Sequence, residues 1–460
     1  MKLFYFRFIV SICLGLLSLP AFAQEELNYR APTLLKDTSP EMLTPGYWIS
    51  RYPSPDSVLL DTQEIQKFNA DIQRKIKSVK DVAQLPESFS GDELTERLKS
   101  LLQEYQNKQY YMPSGEPVSE MFFQDVTSNL NLTSIPSVIE PQFGFILKYT
   151  AQRFLPTDDQ LYERPGDVDF DYLQNNALQI SEPVVILHKS FDGKWGYTLG
   201  STSDGWVKLQ DVVPCALKDI QEYQQNEKWA VVVEARADLF LDPQLNQFDQ
   251  SVQMGTRFPK EKKQESAGAV AIKIPSIRSD GRFAFKTVYL DKREAQDGYL
   301  PYTARTIIKQ AFKLLNRPYG WGGMYQEQDC SRFLQEIFAS VGIDLPRDSK
   351  DQAKIGLPLA EFDLVMREKA NLQKKEFFAT TRNEVLILTL KGHIMMYLGN
   401  VDGKPYAIHS LWAYREPFEG NDRIRVINRV AVTSLELGEG SEKGSLNQRV
   451  TGVRTFTYGH

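Results

Sequence analysis

The sequence predicts a multidomain chain. A mainly helical N-terminal part leads into two small β-barrels in tandem, and these lead into a C-terminal α+β domain. Three observations carry that reading. Residues 24–135 hold amphipathic helical spacing broken by turn residues. Residues 136–300 alternate short apolar runs with turn signals. After residue 301, two amphipathic helices are followed by apolar strands. At 460 residues the chain is too long for one core, so two to four domains are expected. A hydrophobic share of 42% and a charged share of 25% suit a folded soluble protein, and a net charge of −5 gives no reason to expect a nucleic-acid partner.

Residues 1–23 read as a secretory signal peptide. Lys2 and Arg7 precede an apolar run from Phe8 to Leu19, and Ala21-Phe22-Ala23 supplies the small-residue cleavage pattern. A mature chain beginning near Gln24 would be exported, to a periplasmic or extracellular space. No later segment approaches the roughly 20 apolar residues that span a bilayer, so no stable membrane insertion is expected once the signal is removed. Removal also takes away Cys13 and leaves Cys215 and Cys330. The pair could form one disulfide, although Cys215 sits in an apolar run and reads as a small buried residue.

Within residues 24–135, Ile65, Phe68, Ile72 and Ile76 give one helical face. Leu94, Leu98, Leu101 and Leu102 give another, and Pro86 to Gly91 separate the two. Residues 136–222 form the first barrel, with strands at 143–147, 183–187, 195–199 and 205–209 and bends at Asp192-Gly193 and Asp204-Gly205. Residues 223–300 form the second, with runs at 229–234, 239–242, 269–273 and 283–286 and a charged loop over 260–266.

Residues 301–460 carry the chemistry. Thr303 can cap a helix from Ala304 to Leu315. The stretch Pro318-Tyr-Gly-Trp-Gly-Gly-Met-Tyr-Gln-Glu-Gln-Asp-Cys-Ser331 is a glycine-rich turn delivering Cys330 to the start of an apolar-periodic helix. A sulfur there lies among unpaired N–H groups at the positive end of the dipole, which favours thiolate. Of the four histidines, His188 and His460 read as surface residues, whereas His393 and His409 lie in apolar strands downstream of Cys330. A hairpin turn centred on Val401 would place those two imidazoles directly opposite; a strict Asp402-Gly403 turn would shift the pairing. Cys330, His393 and His409 would then be nucleophile, base and orienting group. An inert buried cysteine beside two packed histidines is the alternative. No cysteine–histidine cluster has zinc spacing and no phosphate-cradling loop is present, so neither metal nor organic cofactor is implied.

Four collinear motifs carry a resemblance. They are Tyr319-Gly-Trp321-Gly-Gly323, Asp329-Cys330-Ser331, Leu345-Pro-Arg-Asp-Ser349 with Gln352, and Gly392-His393-Ile-Met-Met-Tyr-Leu-Gly399. Together they resemble the NlpC/P60 family of cell-wall cysteine peptidases. Pro156 to Gly166, Glu182 to Ser190, Trp195 and Gly205-Trp-Val207 are similar to the bacterial SH3 domains that precede some members, and Tyr47 to Arg51 with Glu64 to Asn69 to their N-terminal stabilising domain. The resemblance implies SH3-like barrels, a papain-like last domain, and a monomer acting on murein peptides. The implied activity is a γ-D-glutamyl-L-diamino acid endopeptidase acting on peptides with a free N-terminal L-Ala.

By position, the resemblance makes Cys330 the nucleophile, His393 the base and His409 the third polar member. Asp348 would bind the substrate's amine, with Ser349, Ser331, Tyr319, Asp329 and Trp321 around the site. An amidase-type hydrolase cutting peptide from glycan, a non-catalytic wall-binding protein and an acyltransferase on the same fold are the alternatives. Arg332 stands where many members have glycine, and it puts the cleft's shape in question.

Overall fold

A computed structural model describes residues 30–261, 268–381 and 384–458. The leader with Cys13, most of the charged loop near 260, and His460 fall outside the described residues. No helix among the described residues is long and apolar enough to cross a membrane.

The N-terminal helices form where their caps and periodicity dictate. Thr62–Lys75 starts from a capping box in which Asp61 accepts from the Glu64 amide and Glu64 reaches back to the Asp61 amide. Gly91–Gln106 is capped by Ser90. A third helix, Glu120–Asn129, was not legible in the apolar spacing. These helices are divided between two cores. Trp48, Phe68 and Ile72 join Ile307, Phe333 and Phe338 of the C-terminal domain. Leu94, Leu98, Leu102 and Val126 join Trp195, Tyr197 and Trp206 of the first barrel.

The first barrel is a seven-stranded antiparallel sheet. Its order runs 212–214, 142–146, 183–189, 195–199, 204–208, 150–153, 174–178. His188 is a correction to the surface reading: it is buried, with Nε2 2.9 Å from the Leu130 carbonyl and its ring against Trp206. The sequence signal was misleading because a strand residue beside a turn can point inward. The second β unit holds two sheets, of three and four strands, built from runs between Trp229 and Asp297 around Val232, Leu239, Phe258 and Ile272. Cys215 is free and only half-buried.

The C-terminal domain packs helices Ala304–Lys313 and Cys330–Ala339 on one face of a six-stranded antiparallel sheet. Its order is 357–361, 450–455, 387–390, 393–401, 404–418, 421–434. The strand Val450–Thr455 inserts beside Ile387–Leu390, a pairing across more than 60 residues of sequence that local pattern does not reveal. Asp402 and Gly403, both at positive φ, make the two-residue turn. Val401 therefore pairs with Lys404, and Met396 with Ile408. A turn centred on Val401 is overturned. Continuing the observed register leaves His393 and His409 as diagonal neighbours on one face, still within side-chain reach.

Trp48 ties the N-terminal segment to this domain. It has no exposed surface, donates from Nε1 to the Met42 carbonyl at 2.7 Å and packs on Tyr406. Trp48→Ala is expected to cost about 3–5 kcal/mol. It should lower the urea midpoint of the C-terminal domain within a single transition. An unchanged midpoint would deny the shared core.

Candidate active site

The site is built from the carboxylate of Asp329. It caps the Cys330–Ala339 helix by accepting from the Arg332 amide at 2.9 Å, and it also accepts from the Gly322 amide and the Ser331 hydroxyl. Arg347 closes an ion pair on it with both side chains buried. Burial pushes this carboxyl up, but the Arg347 guanidinium and the helix amides outweigh burial and hold it below the ordinary carboxylate range. Ser331 therefore spends its hydroxyl on Asp329 and Arg347, and Gln352 ties the loop by donating to the Ser331 and Pro346 carbonyls.

The glycine turn is pressed against the first barrel. Gly322 and Gly323 have φ of 59° and 83°. A Cβ on Gly322 would lie 2.6 Å from Gln174, and one on Gly323 2.8 Å from the Tyr149 hydroxyl. Gln174 and Tyr149 donate to the carbonyls of those same two glycines. The glycines are thus required twice, for the left-handed backbone and for the approach of a neighbouring domain.

Arg332 occupies the same seam. Its buried guanidinium meets Glu336 at 3.2 Å, the Asn176 side-chain oxygen at 3.2 Å and the Ala177 carbonyl at 2.9 Å. Arg347 reaches that same Asn176 oxygen at 2.7 Å. The long side chain that replaces glycine therefore points into the domain junction and fastens the nucleophile helix to the barrel.

The two histidines meet. His393 Nε2 lies 2.6 Å from His409 Nδ1, and His409 Nε2 lies 2.9 Å from Thr433 Oγ1. A run of donors from His393 through His409 to Thr433 leaves Nδ1 of His393 as the free basic nitrogen. The amide of Ile394, next to His393, is directed at the Cys330 sulfur. Among the described residues no hydrogen bond joins that sulfur to the imidazole. Cys330 is free and 8% exposed.

Around them stands an aromatic wall that sequence reasoning located only in part. Tyr319 and Trp321 come from the glycine turn. Phe170, from the barrel loop over residues 164–172, lies 6.1 Å from Tyr319, 5.2 Å from Trp321 and 5.0 Å from Trp412, between ring centroids. Trp321 donates to the Asp171 carbonyl and Trp412 to the Asp169 carboxylate. Asp348 is exposed at the start of the short helix Ser349–Gln352 and makes no side-chain cap bond to it; Ser349 is half-buried. Thr433, Arg347, Phe170 and Trp412 were missed. Trp412, three residues past His409, was the one with a signal.

Burial decides the protonation of this closed site. It pushes the Cys330 thiol up to about 12, assisted by the Asp329 charge and opposed by the Ile394 amide. It lowers His393 to about 3, with Arg449 adding to the effect. Burial thus acts against the helix end at Cys330 and favours thiol there and neutral imidazole at His393. For a thiol pKa raised this far, the thiolate fraction grows tenfold per pH unit below it. Alkylation of Cys330 by iodoacetamide, read on its peptide by mass spectrometry, should climb about tenfold per unit from pH 7 to 9. A plateau reached below pH 7 would mean a thiolate–imidazolium pair instead.

Comparison with known proteins matches residues 316–411 to the NlpC/P60 family and residues 160–208 to an SH3 domain of the SH3b1 type. A γ-D-glutamyl-L-lysine dipeptidyl-peptidase of Bacillus subtilis (strain 168) is 37% identical over 90 residues, covering 18% of this chain and 30% of that protein. The bifunctional muramidase/DL-endopeptidase CwlT of the same organism is 33% identical over 97 residues, covering 21% of this chain and 26% of its own length. The chain thus spans under a third of either relative. An NlpC/P60 endopeptidase from Photobacterium damselae subsp. piscicida superposes with a TM-score of 0.69 at 19% identity, covering 88% of this chain and 93% of that one. At that identity the likeness speaks for the fold. Residues 316–411 thus match the NlpC/P60 family as a domain, with an SH3b1-type SH3 domain matched ahead of it over residues 160–208.

Proposed function

We propose that this chain hydrolyses bacterial wall peptides, cutting the bond after D-glutamate in L-Ala-γ-D-Glu-diamino acid peptides. The observation that carries the proposal is the His393–His409 contact at 2.6 Å on the strand whose Ile394 amide faces Cys330. Bacterial relatives named as γ-D-glutamyl-L-lysine dipeptidyl-peptidase and DL-endopeptidase support the substrate class.

In this reading the Cys330 sulfur attacks the carbonyl carbon of the γ-glutamyl bond while His393 Nδ1 takes the thiol proton. The tetrahedral adduct collapses as His393 returns that proton to the leaving amine, giving a thioester on Cys330. Water then attacks the thioester, with His393 again taking its proton. His409 and Thr433 fix the tautomer and ring plane. The exposed Asp348 carboxylate attracts the substrate's N-terminal ammonium and disfavours stems whose amine is still in amide linkage. Tyr319, Trp321 and Ser349 line the approach, and Ser331 and Asp329 hold the nucleophile helix in place.

The remaining expectations extend the same proposal. Residues 24–135 act as a stabilising segment, the β unit over 223–300 is a second SH3-like barrel, and residues 1–23 direct export to the periplasm or beyond. The protein works as a monomer without a metal or cofactor.

Mass spectrometry of L-Ala-γ-D-Glu-diaminopimelate and of its N-acetyl form tests the proposal. The free peptide should yield L-Ala-D-Glu, with the acetylated form at least tenfold slower. Asp348→Asn should narrow that gap by raising KM for the free amine about tenfold. Cys330→Ala should abolish turnover. Unchanged turnover in that variant would sink the mechanism, and equal cleavage of both peptides would remove Asp348 from it.

A further inference from the structure

Arg415, Lys443 and Arg449 gather around one turn, and two of them, Arg449 and Lys443, lie near His393. Arg449 ends the short helix Leu446–Arg449 and precedes Val450, which pairs with Leu390. Leu390 pairs on its other side with His393. Arg449 is thus displaced from His393 by about two strand spacings across one row of the sheet, about 10 Å. Its amide donates to the Ser445 carbonyl, folding the turn that carries Lys443 back toward it. The Arg415 backbone lies against the same turn: the carbonyls of Arg415 and Gly444 both lie within 3.3 Å of the point where a Cβ on Gly438 would sit.

Among the described residues no ion pair includes Arg415, Lys443 or Arg449. Three of the neighbouring carboxylates are engaged elsewhere. Glu416 pairs with Arg423 and Arg425, Glu439 with Lys36, and Asp422 accepts from the Glu442 amide. Like charges this close raise one another's cost. Burial, then Arg449 and Arg415, hold Lys443 below its ordinary range, and Arg449 and Lys443 both act on His393 against the opposing charge of Asp329. A surface that gathers three cations, none of them in an ion pair among the described residues, suits an anion that arrives.

We propose that Arg415, Lys443 and Arg449 form a subsite for a carboxylate carried by the leaving amino acid. The inference rests on the function proposed above and deepens it. His393 must touch the leaving nitrogen to protonate it, so charges beside His393 flank the leaving residue, whereas Asp348 serves the amine at the other end. Two carboxylates could fill the subsite: the C-terminal one of a tripeptide, or the side-chain one of diaminopimelate.

Four peptides separate them. They are L-Ala-γ-D-Glu-L-Lys as free acid and as C-terminal amide, and L-Ala-γ-D-Glu-diaminopimelate with the side-chain carboxylate free and amidated. In the intact chain, kcat/KM for acid over amide should be about tenfold or more in the pair whose carboxylate is recognised. Lys443→Gln, an exposed change that the fold tolerates, and Arg415→Gln should each bring that ratio toward one. Raised salt should do the same. Cleavage of all four peptides at equal rates would overturn the subsite and leave the proposed function standing, as would an acid-to-amide ratio that neither substitution changes. Cleavage of none would overturn both.

Discussion

The Asp329 carboxylate is the point on which the active-site architecture turns. One side chain caps the Cys330 helix, anchors the glycine turn through Gly322 and holds Ser331 and Arg347. Through Arg347 it is joined to Asn176 of the barrel, and Arg332 makes the same junction from the helix. A buried ion pair of this kind adds little net stability against a well-packed apolar alternative, yet removing one partner strands a charge at a cost of about 3–5 kcal/mol. What the pair supplies is orientation. The sulfur, the helix that presents it and the barrel that roofs it share one hydrogen-bonded frame.

That frame explains why the site rests neutral. Cys330 is 8% exposed, and in a dry site the helix end does not compensate the lost hydration of a thiolate. In the proposed mechanism, proton transfer from Cys330 to His393 would then be coupled to substrate attack. A wet cleft would keep the ion pair and expose a reactive sulfur at all times.

Much of this was legible in the sequence because it is local. The capping pattern at Asp61 and Thr303, the apolar stripe of the Cys330 helix and the Asp402-Gly403 turn are written within a few residues of where they act. Hairpin arithmetic centred on Val401 put His393 directly opposite His409, whereas the Asp402-Gly403 turn makes them diagonal neighbours. What stayed hidden depends on distant segments. Phe170 reaches Trp412 across more than 240 residues, and Val450–Thr455 finds its place inside the sheet through partners far upstream. Burial at Cys330 is of the same kind: the helix dipole is local, whereas the core around the sulfur gathers residues from Trp48 to Phe456. Arg332 looked like an obstruction in the cleft because sequence gives a residue's identity and not its direction.

The division of the N-terminal helices between two cores has a bearing on how such chains can be rearranged by recombination. Trp48, Phe68 and Ile72 are as much a part of the peptidase interior as Phe333, and Leu98 belongs as fully to the barrel. A gene fragment beginning at Tyr302 would encode a peptidase with one flank stripped to bare hydrocarbon. The barrel and the peptidase can be inherited together, or lost together, but not shuffled as independent cassettes.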